Sequence, residues 1–117
     1  MHELRIAEDL SVIVFEAAHN GNLSRVTKVN IIFGQLIQIV PDIFKSAFTE
    51  IVRNSIAEGS ELDIEILPVK MKCLNCDNEF LVRDNTFACT ICGYTDLGII
   101  QGKELFIKSI EGEQPWK

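Results

Sequence analysis

The 117-residue sequence has no apolar run long enough to cross a membrane. Its longest stretch, Val29 to Val40, is interrupted by Asn30, Gly34, Gln35 and Gln38 and stopped by Pro41, well short of the roughly 20 apolar residues that a hydrocarbon core requires. Basic residues are scarce: 11 Lys and Arg stand against 17 Asp and Glu, a formal net charge of -6. The summed field repels phosphate backbones, so non-specific nucleic-acid binding is disfavoured. A phosphate-cradling glycine loop is missing, as is any nucleophile with a base and an orienting group, which argues against an enzyme. Internal repeats and low-complexity segments are also lacking, and the short chain excludes a catalytic barrel or a doubly wound nucleotide-binding fold. The amino terminus, Met1-His2-Glu3-Leu4-Arg5, carries an acid where a secretory signal has a basic lead, so a cytoplasmic protein is expected.

With 47% hydrophobic and 24% charged residues, the composition is that of a globular domain. Leu4, Ala7, Leu10, Val14, Ala17 and Ala18 recur in steps of three and four, predicting a helix over 3–18 that ends at Asn20-Gly21-Asn22. From Arg25 to Ile37 the chain is β-branched and alternating, a long strand in which Gly34 marks a bulge or bend. Pro41-Asp42 starts a second helix of about four turns, carrying Phe44, Ala47, Phe48 and Ile51 and closed by Glu58-Gly59. Leu62, Ile64 and Ile66 alternate with Asp63 and Glu65 as a strand, and Glu104 to Ile110 reads as another. The predicted fold class is α+β: a small mixed sheet of about three strands packed with two helices, into which a four-cysteine ribbon is inserted. Residues 1–70 plus 98–117 form one discontinuous domain on this reading, and 71–97 form the ribbon.

The cysteines read Cys73-x2-Cys76, twelve residues, then Cys89-x2-Cys92. Two thiolates on a tight turn can face one ion, and a second such turn across a short hairpin completes a tetrahedron of sulfurs, so this spacing predicts structural zinc. Four sulfurs leave no open coordination position for a catalytic water. The segment is poor in aliphatic residues, and metal would substitute for a core. Competing readings are free thiols or disulfides, rubredoxin-like iron and dithiol redox chemistry; a reduced compartment and the lack of a thioredoxin-type context count against them. A nucleic-acid-associated or protein-interaction zinc ribbon needs a basic patch in the first case, yet residues 73–92 hold only Arg83 beside Asp77, Glu79 and Asp84. Met71 reads as packing and His19 as a capping cation or surface residue at the end of the first helix.

Met1-His2-Glu3-Leu4, Val26 to Gly34, Val40-Pro41-Asp42, Ile56-Ala57-Glu58-Gly59-Ser60, Leu62 to Glu65, the two cysteine pairs and Gly102-Lys103-Glu104-Leu105 together resemble the HypA/HybF family of hydrogenase nickel-incorporation proteins. Thr90 stands where members often have proline, and Tyr94 where serine is common. The resemblance implies a nickel-binding domain carrying a zinc ribbon, a chaperone rather than an enzyme. It would deliver Ni(II) for maturation of the [NiFe]-hydrogenase large subunit precursor with a HypB-type GTPase, in some members also supplying urease; a homodimer is one open assembly state. Its implied nickel site is His2 with the Met1 amine, and Glu3 as a further carboxylate or as an orienting neighbour of the imidazole. The chemistry is coherent: amine, His2 amide nitrogen and imidazole close fused chelate rings in one plane, an arrangement that suits Ni(II) and not Zn(II). Glu3 also has a simpler role, an acid in the first turn that interacts favourably with the helix dipole.

Overall fold

A computed structural model describes residues 2–115 and, for His2, the backbone alone. The chain divides into two compact units, Met1–Ile32, Ile39–Glu65 and Phe106–Lys117 in the first, Phe33–Gln38 and Ile66–Leu105 in the second.

The first unit opens with helix α1, His2–Asn20. Glu3, Ala7, Leu10, Ser11, Val14 and Ala18 form its buried stripe, as the three-and-four spacing predicts. The helix stops because Asn22 adopts φ 56°, which lets the Asn22 N–H reach the His19 carbonyl and the Leu23 N–H reach Ala18, at 3.1 and 2.9 Å. This is the double C-terminal bond of a left-handed cap, with asparagine in the place that glycine most often takes. Strand β1, Arg25–Gly34, follows. Helix α2, Pro41–Ile51, begins with proline at its first position, where the missing N–H has no helical partner to lose. The rings of Phe44 and Phe48, one turn apart on α2 and both buried, stack at 6.0 Å between centroids. α1 packs against α2, and with Val26, Val29 and Ile31 of β1 they supply the unit's apolar interior.

Helix α2 is shorter than its sequence suggests. It ends at Ile51, and 52–59 run as hydrogen-bonded turns. The Ser55 hydroxyl donates to the Val52 carbonyl and accepts the Ala57 N–H, while Asn54 sits at φ 65°. Serine and asparagine here offer the backbone local partners that compete with the helical ladder.

Strands β2, Glu61–Leu67, and β6, Leu105–Glu113, flank β1 in a three-stranded sheet of order β2-β1-β6. Bonds from the Gly34 N–H to Glu104 and from the Ser24 N–H to Glu113, both 2.7 Å, run β6 antiparallel to β1. Polar side chains follow the same pairing: the Asn30 amide donates to Ser109 at 2.9 Å, and Lys28 meets Asp63 at 3.9 Å.

In the second unit lie β3, Lys70–Cys73, β4, Glu79–Leu81, and β5, Leu97–Gln101, a sheet of order β4-β3-β5. Both pairings are antiparallel. β5 was not expected as a strand: Gly98 weakens its pattern, and only pairing with β3 defines it. The strand expected over 25–37 stops at Gly34 and gives way to a 3-10 turn, Gln35–Ile37. The bend at Gly34 is a close backbone approach. A Cβ at Gly34 would overlap the Gly102 carbonyl, while the Leu36 N–H donates to Gly102 at 2.9 Å, and Gly102 itself holds φ 128°.

Gly34→Ala is expected to cost about 3 kcal/mol of unfolding free energy, an overpacked backbone contact. Gly98→Ala, whose new Cβ would meet only Leu74 at an ordinary 3.6 Å, should stay within about 0.5 kcal/mol. Denaturant titration of the two variants checks this, and equal midpoints would refute the close-contact account.

Candidate metal centre

Alternation along β3 turns Met71 and Cys73 inward and leaves Lys70 and Lys72 partly exposed. Val69, Met71, Cys73, Phe80 and Cys89 form a small buried cluster, with Leu36, Val82 and Leu97 packed on it. Met71 is therefore a packing residue. Two of the five buried members are cysteines, so the apolar support is thin for this unit.

The two cysteine pairs are built alike. In the first, the Cys73 N–H donates to the Asn78 carbonyl at 2.8 Å and the Asp77 N–H returns to the Cys73 carbonyl at 2.9 Å. In the second, the Cys89 N–H donates to Tyr94 at 2.8 Å and the Gly93 N–H to Cys89 at 3.0 Å. Each turn closes on a left-handed residue, Asp77 at φ 63° and Gly93 at φ 77°; glycine takes that region without strain, and aspartate is among the few other residues that tolerate it. The amides inside each turn then point at the leading sulfur. Asn75 and Cys76 donate to Cys73 Sγ, both at 3.4 Å, and Ile91 and Cys92 donate to Cys89 Sγ at 3.4 and 3.5 Å.

All four sulfurs lie within 4.8 Å of one another, with Cys73 Sγ to Cys92 Sγ and Cys76 Sγ to Cys89 Sγ both 3.6 Å. A tetrahedron of sulfurs at the usual zinc distance of about 2.3 Å has edges of about 3.8 Å. The donor set therefore fits one thiophilic ion. None of the four is in a disulfide; Cys73 and Cys89 are buried, Cys76 and Cys92 exposed.

Electrostatics support the same use. The Cys92 amide, aided by those of Ile91 and the Asn78 side chain, holds Cys89 down at about 6. The Tyr94 amide and then the Asn75 side chain lower Cys92. Against the downward pull of the Asn78 amide, lost hydration and the thiols of Cys89, Cys73 and Cys92 push Cys76 up to about 12. Thiols this close cannot all ionise unaided, because each new negative charge penalises the next. A bound cation removes that penalty and deprotonates the remaining thiols.

Cysteine spacing alone does not single out Asp77, Asn75 and Asn78 as residues that shape the site. The usable signal is positional: a residue tolerant of positive φ directly after each Cys-x-x-Cys, and side-chain amides inside and just beyond the first pair.

Of the amino-terminal residues, Met1 and the His2 side chain lie outside the described residues. Glu3 is 5% exposed, in the first turn of α1, and its Oε2 accepts the Val40 N–H at 3.0 Å. Val40 is the residue that caps α2, so Glu3 fastens the start of one helix to the start of the other, a bond a capping-box glutamate makes within its own helix. His19 is exposed in the last turn of α1, where a cation complements the helix terminus.

No helix among the described residues is long and apolar enough to cross a membrane. The family model described as "Hydrogenase/urease nickel incorporation, metallochaperone, hypA" matches residues 1–112. A hydrogenase maturation factor HypA from Caldanaerobacter subterraneus is 37% identical over 97% of this chain and 100% of its own length. That of Desulfitobacterium hafniense is 34% identical with the same coverage, and that of Aquifex aeolicus is 34% identical over 97% and 98%. The solution structure of the Ni metallochaperone HypA from Helicobacter pylori shares the fold with a TM-score of 0.71 at 23% identity, covering 96% of this chain and 97% of that one. Matched by that model through both the amino-terminal and the cysteine segments, the chain belongs to the HypA family of hydrogenase/urease nickel-incorporation metallochaperones.

Proposed function

We propose that this chain binds Ni(II) at its amino terminus, carries it in the cytoplasm, and delivers it for maturation of the [NiFe]-hydrogenase large subunit precursor, with a HypB-type GTPase as partner and urease as a further recipient. The observation that carries the reading is the family match over residues 1–112, which spans His2, Glu3 and all four cysteines.

On this reading the two ions differ in kind. Cys73, Cys76, Cys89 and Cys92 would hold zinc as a resident ion that cross-links the second unit and substitutes for its small core. Nickel is cargo. The Met1 amine, the His2 amide nitrogen and imidazole, and Glu3 are the proposed donors. A site of few ligands at a chain terminus can surrender its ion, whereas one built for maximal affinity would retain nickel and prefer copper. Glu3 has a double duty: its bond to Val40 orders the first turn of α1, and its charge adds to the donor set. Four sulfurs on one ion would leave no open position for a catalytic water, which fits a chain that acts by binding and transfer.

Lengthening the amino terminus by two residues, or replacing His2 with Ala, should abolish high-affinity nickel binding in calorimetric titration while one zinc per chain remains. Unchanged nickel affinity in both would refute the terminal site. Because protons compete for the amine, the amide and the imidazole, nickel affinity should fall as pH drops, with the thiolate ion retained to lower pH; a pH-independent nickel affinity between pH 8 and 6 would contradict this. Cys73→Ser should lose zinc by elemental analysis and disorder the second unit, yet keep most of the helical circular dichroism, since α1 and α2 both lie in the first unit. Collapse of the helical signal would overturn that independence.

A further inference from the structure

The two cysteine turns match in their backbone but not in their side chains. Asn75 lies inside the first turn and Asn78 just beyond it, and their counterparts in the second are Ile91 and Tyr94. Both asparagine amides reach across to the opposite turn. Asn75 Nδ2 donates to Cys92 Sγ at 3.7 Å, and Asn78 Nδ2 to Cys89 Sγ at 3.6 Å and to Thr90 Oγ1 at 3.1 Å. Apart from the thiol contacts Cys73–Cys92 and Cys76–Cys89, in which either sulfur can donate, nothing is returned: among the described residues no side-chain amide or hydroxyl of the second turn donates to Cys73 or Cys76, and Ile91 has no side-chain donor to offer.

An N–H donated to a thiolate stabilises the sulfur lone pairs and makes that sulfur a poorer nucleophile. Cys73 and Cys89 are buried residues, and Cys76 and Cys92 are the exposed ones of the four. Of those two, only Cys92 receives a side-chain amide.

We propose that Asn75 and Asn78 make the two halves of the metal site chemically unequal, leaving Cys76 as its site of covalent modification by soft electrophiles such as α,β-unsaturated carbonyls. Asn75 and Asn78 are positioning residues for the second-turn sulfurs. In the addition, the Cys76 sulfur lone pair forms a new S–C bond to the β-carbon. The alkene π pair shifts to the α-carbon and takes a proton from water, leaving hydroxide, and an ion held at the site would lose Cys76 as a thiolate donor. No oxidant or reductant is consumed. The inference rests on the proposed zinc reading, with four thiolates on one ion.

The test treats the full zinc-loaded chain with less than one equivalent of N-ethylmaleimide and maps the adducts by peptide mass spectrometry. Cys76 should be labelled roughly tenfold more than Cys92, the lower end of what an outer hydrogen bond to a metal ligand typically changes. In Asn75→Leu, which keeps the bulk beside Cys92 and removes the donor, the ratio should fall towards one. Asn75→Gln, which keeps an amide, should preserve it. In Co(II)-substituted protein, Asn75→Leu should move the sulfur-to-metal charge-transfer band to lower energy and leave the tetrahedral d–d bands in place, a change that altered access alone would not produce. Equal or preferential labelling of Cys92 in the unmodified chain, or an unmoved ratio and band in Asn75→Leu, would overturn the inference. Rapid, equal labelling of all four thiols together with no tetrahedral cobalt spectrum would instead overturn the zinc reading on which it stands.

Discussion

Four thiol sulfurs within 4.8 Å of one another form an arrangement that water alone does not stabilise. As thiolates they repel, and as thiols they leave two largely exposed turns with little to hold them. The backbone is nevertheless organised around them, with two amides aimed at Cys73 and two at Cys89, and a left-handed residue closing each turn. Such an arrangement gains its coherence from a cation at the centre. The second unit's own apolar support is thin, since its buried cluster is small and two of its members are the cysteines themselves.

The first unit is organised differently. Its helices bury a continuous apolar stripe and stack aromatic rings, so it has a core of its own. Helix α1 starts at His2, and Glu3 in its first turn is tied to Val40. A carboxylate in the first turn of a helix is favoured, because the backbone N–H groups there are unsatisfied. On the proposed reading the second unit keeps a permanent ion and the first carries an exchangeable one, the division of labour that a metal carrier needs.

Much of this was legible in the residues. The stripe of α1, the Pro41 start of α2, the alternation of β2 and the paired cysteines follow from local spacing, and local spacing is what periodicity reports. The resemblance to the HypA/HybF family was carried by scattered fragments, and the family match confirms the membership. Less legible was whatever depends on a distant partner or on competing local bonds. β5 is a strand because β3 lies beside it; Gly34 must be glycine because Gly102 passes over it; and α2 stops early because Ser55 captures Val52 and Ala57. The cysteine site was readable as a ligand set, but the reach of Asn75 and Asn78 across it was not, because nothing in a linear spacing says which turn faces which sulfur.

The central claim is that two ions are held by two unlike donor sets in one chain. X-ray absorption at the zinc and nickel edges of the same doubly loaded sample tests it most directly. The account predicts zinc surrounded by four sulfurs at about 2.3 Å and nickel surrounded by nitrogen and oxygen donors with the outer-shell scattering of an imidazole. Nickel found among sulfurs, with no imidazole in its shell, would contradict it.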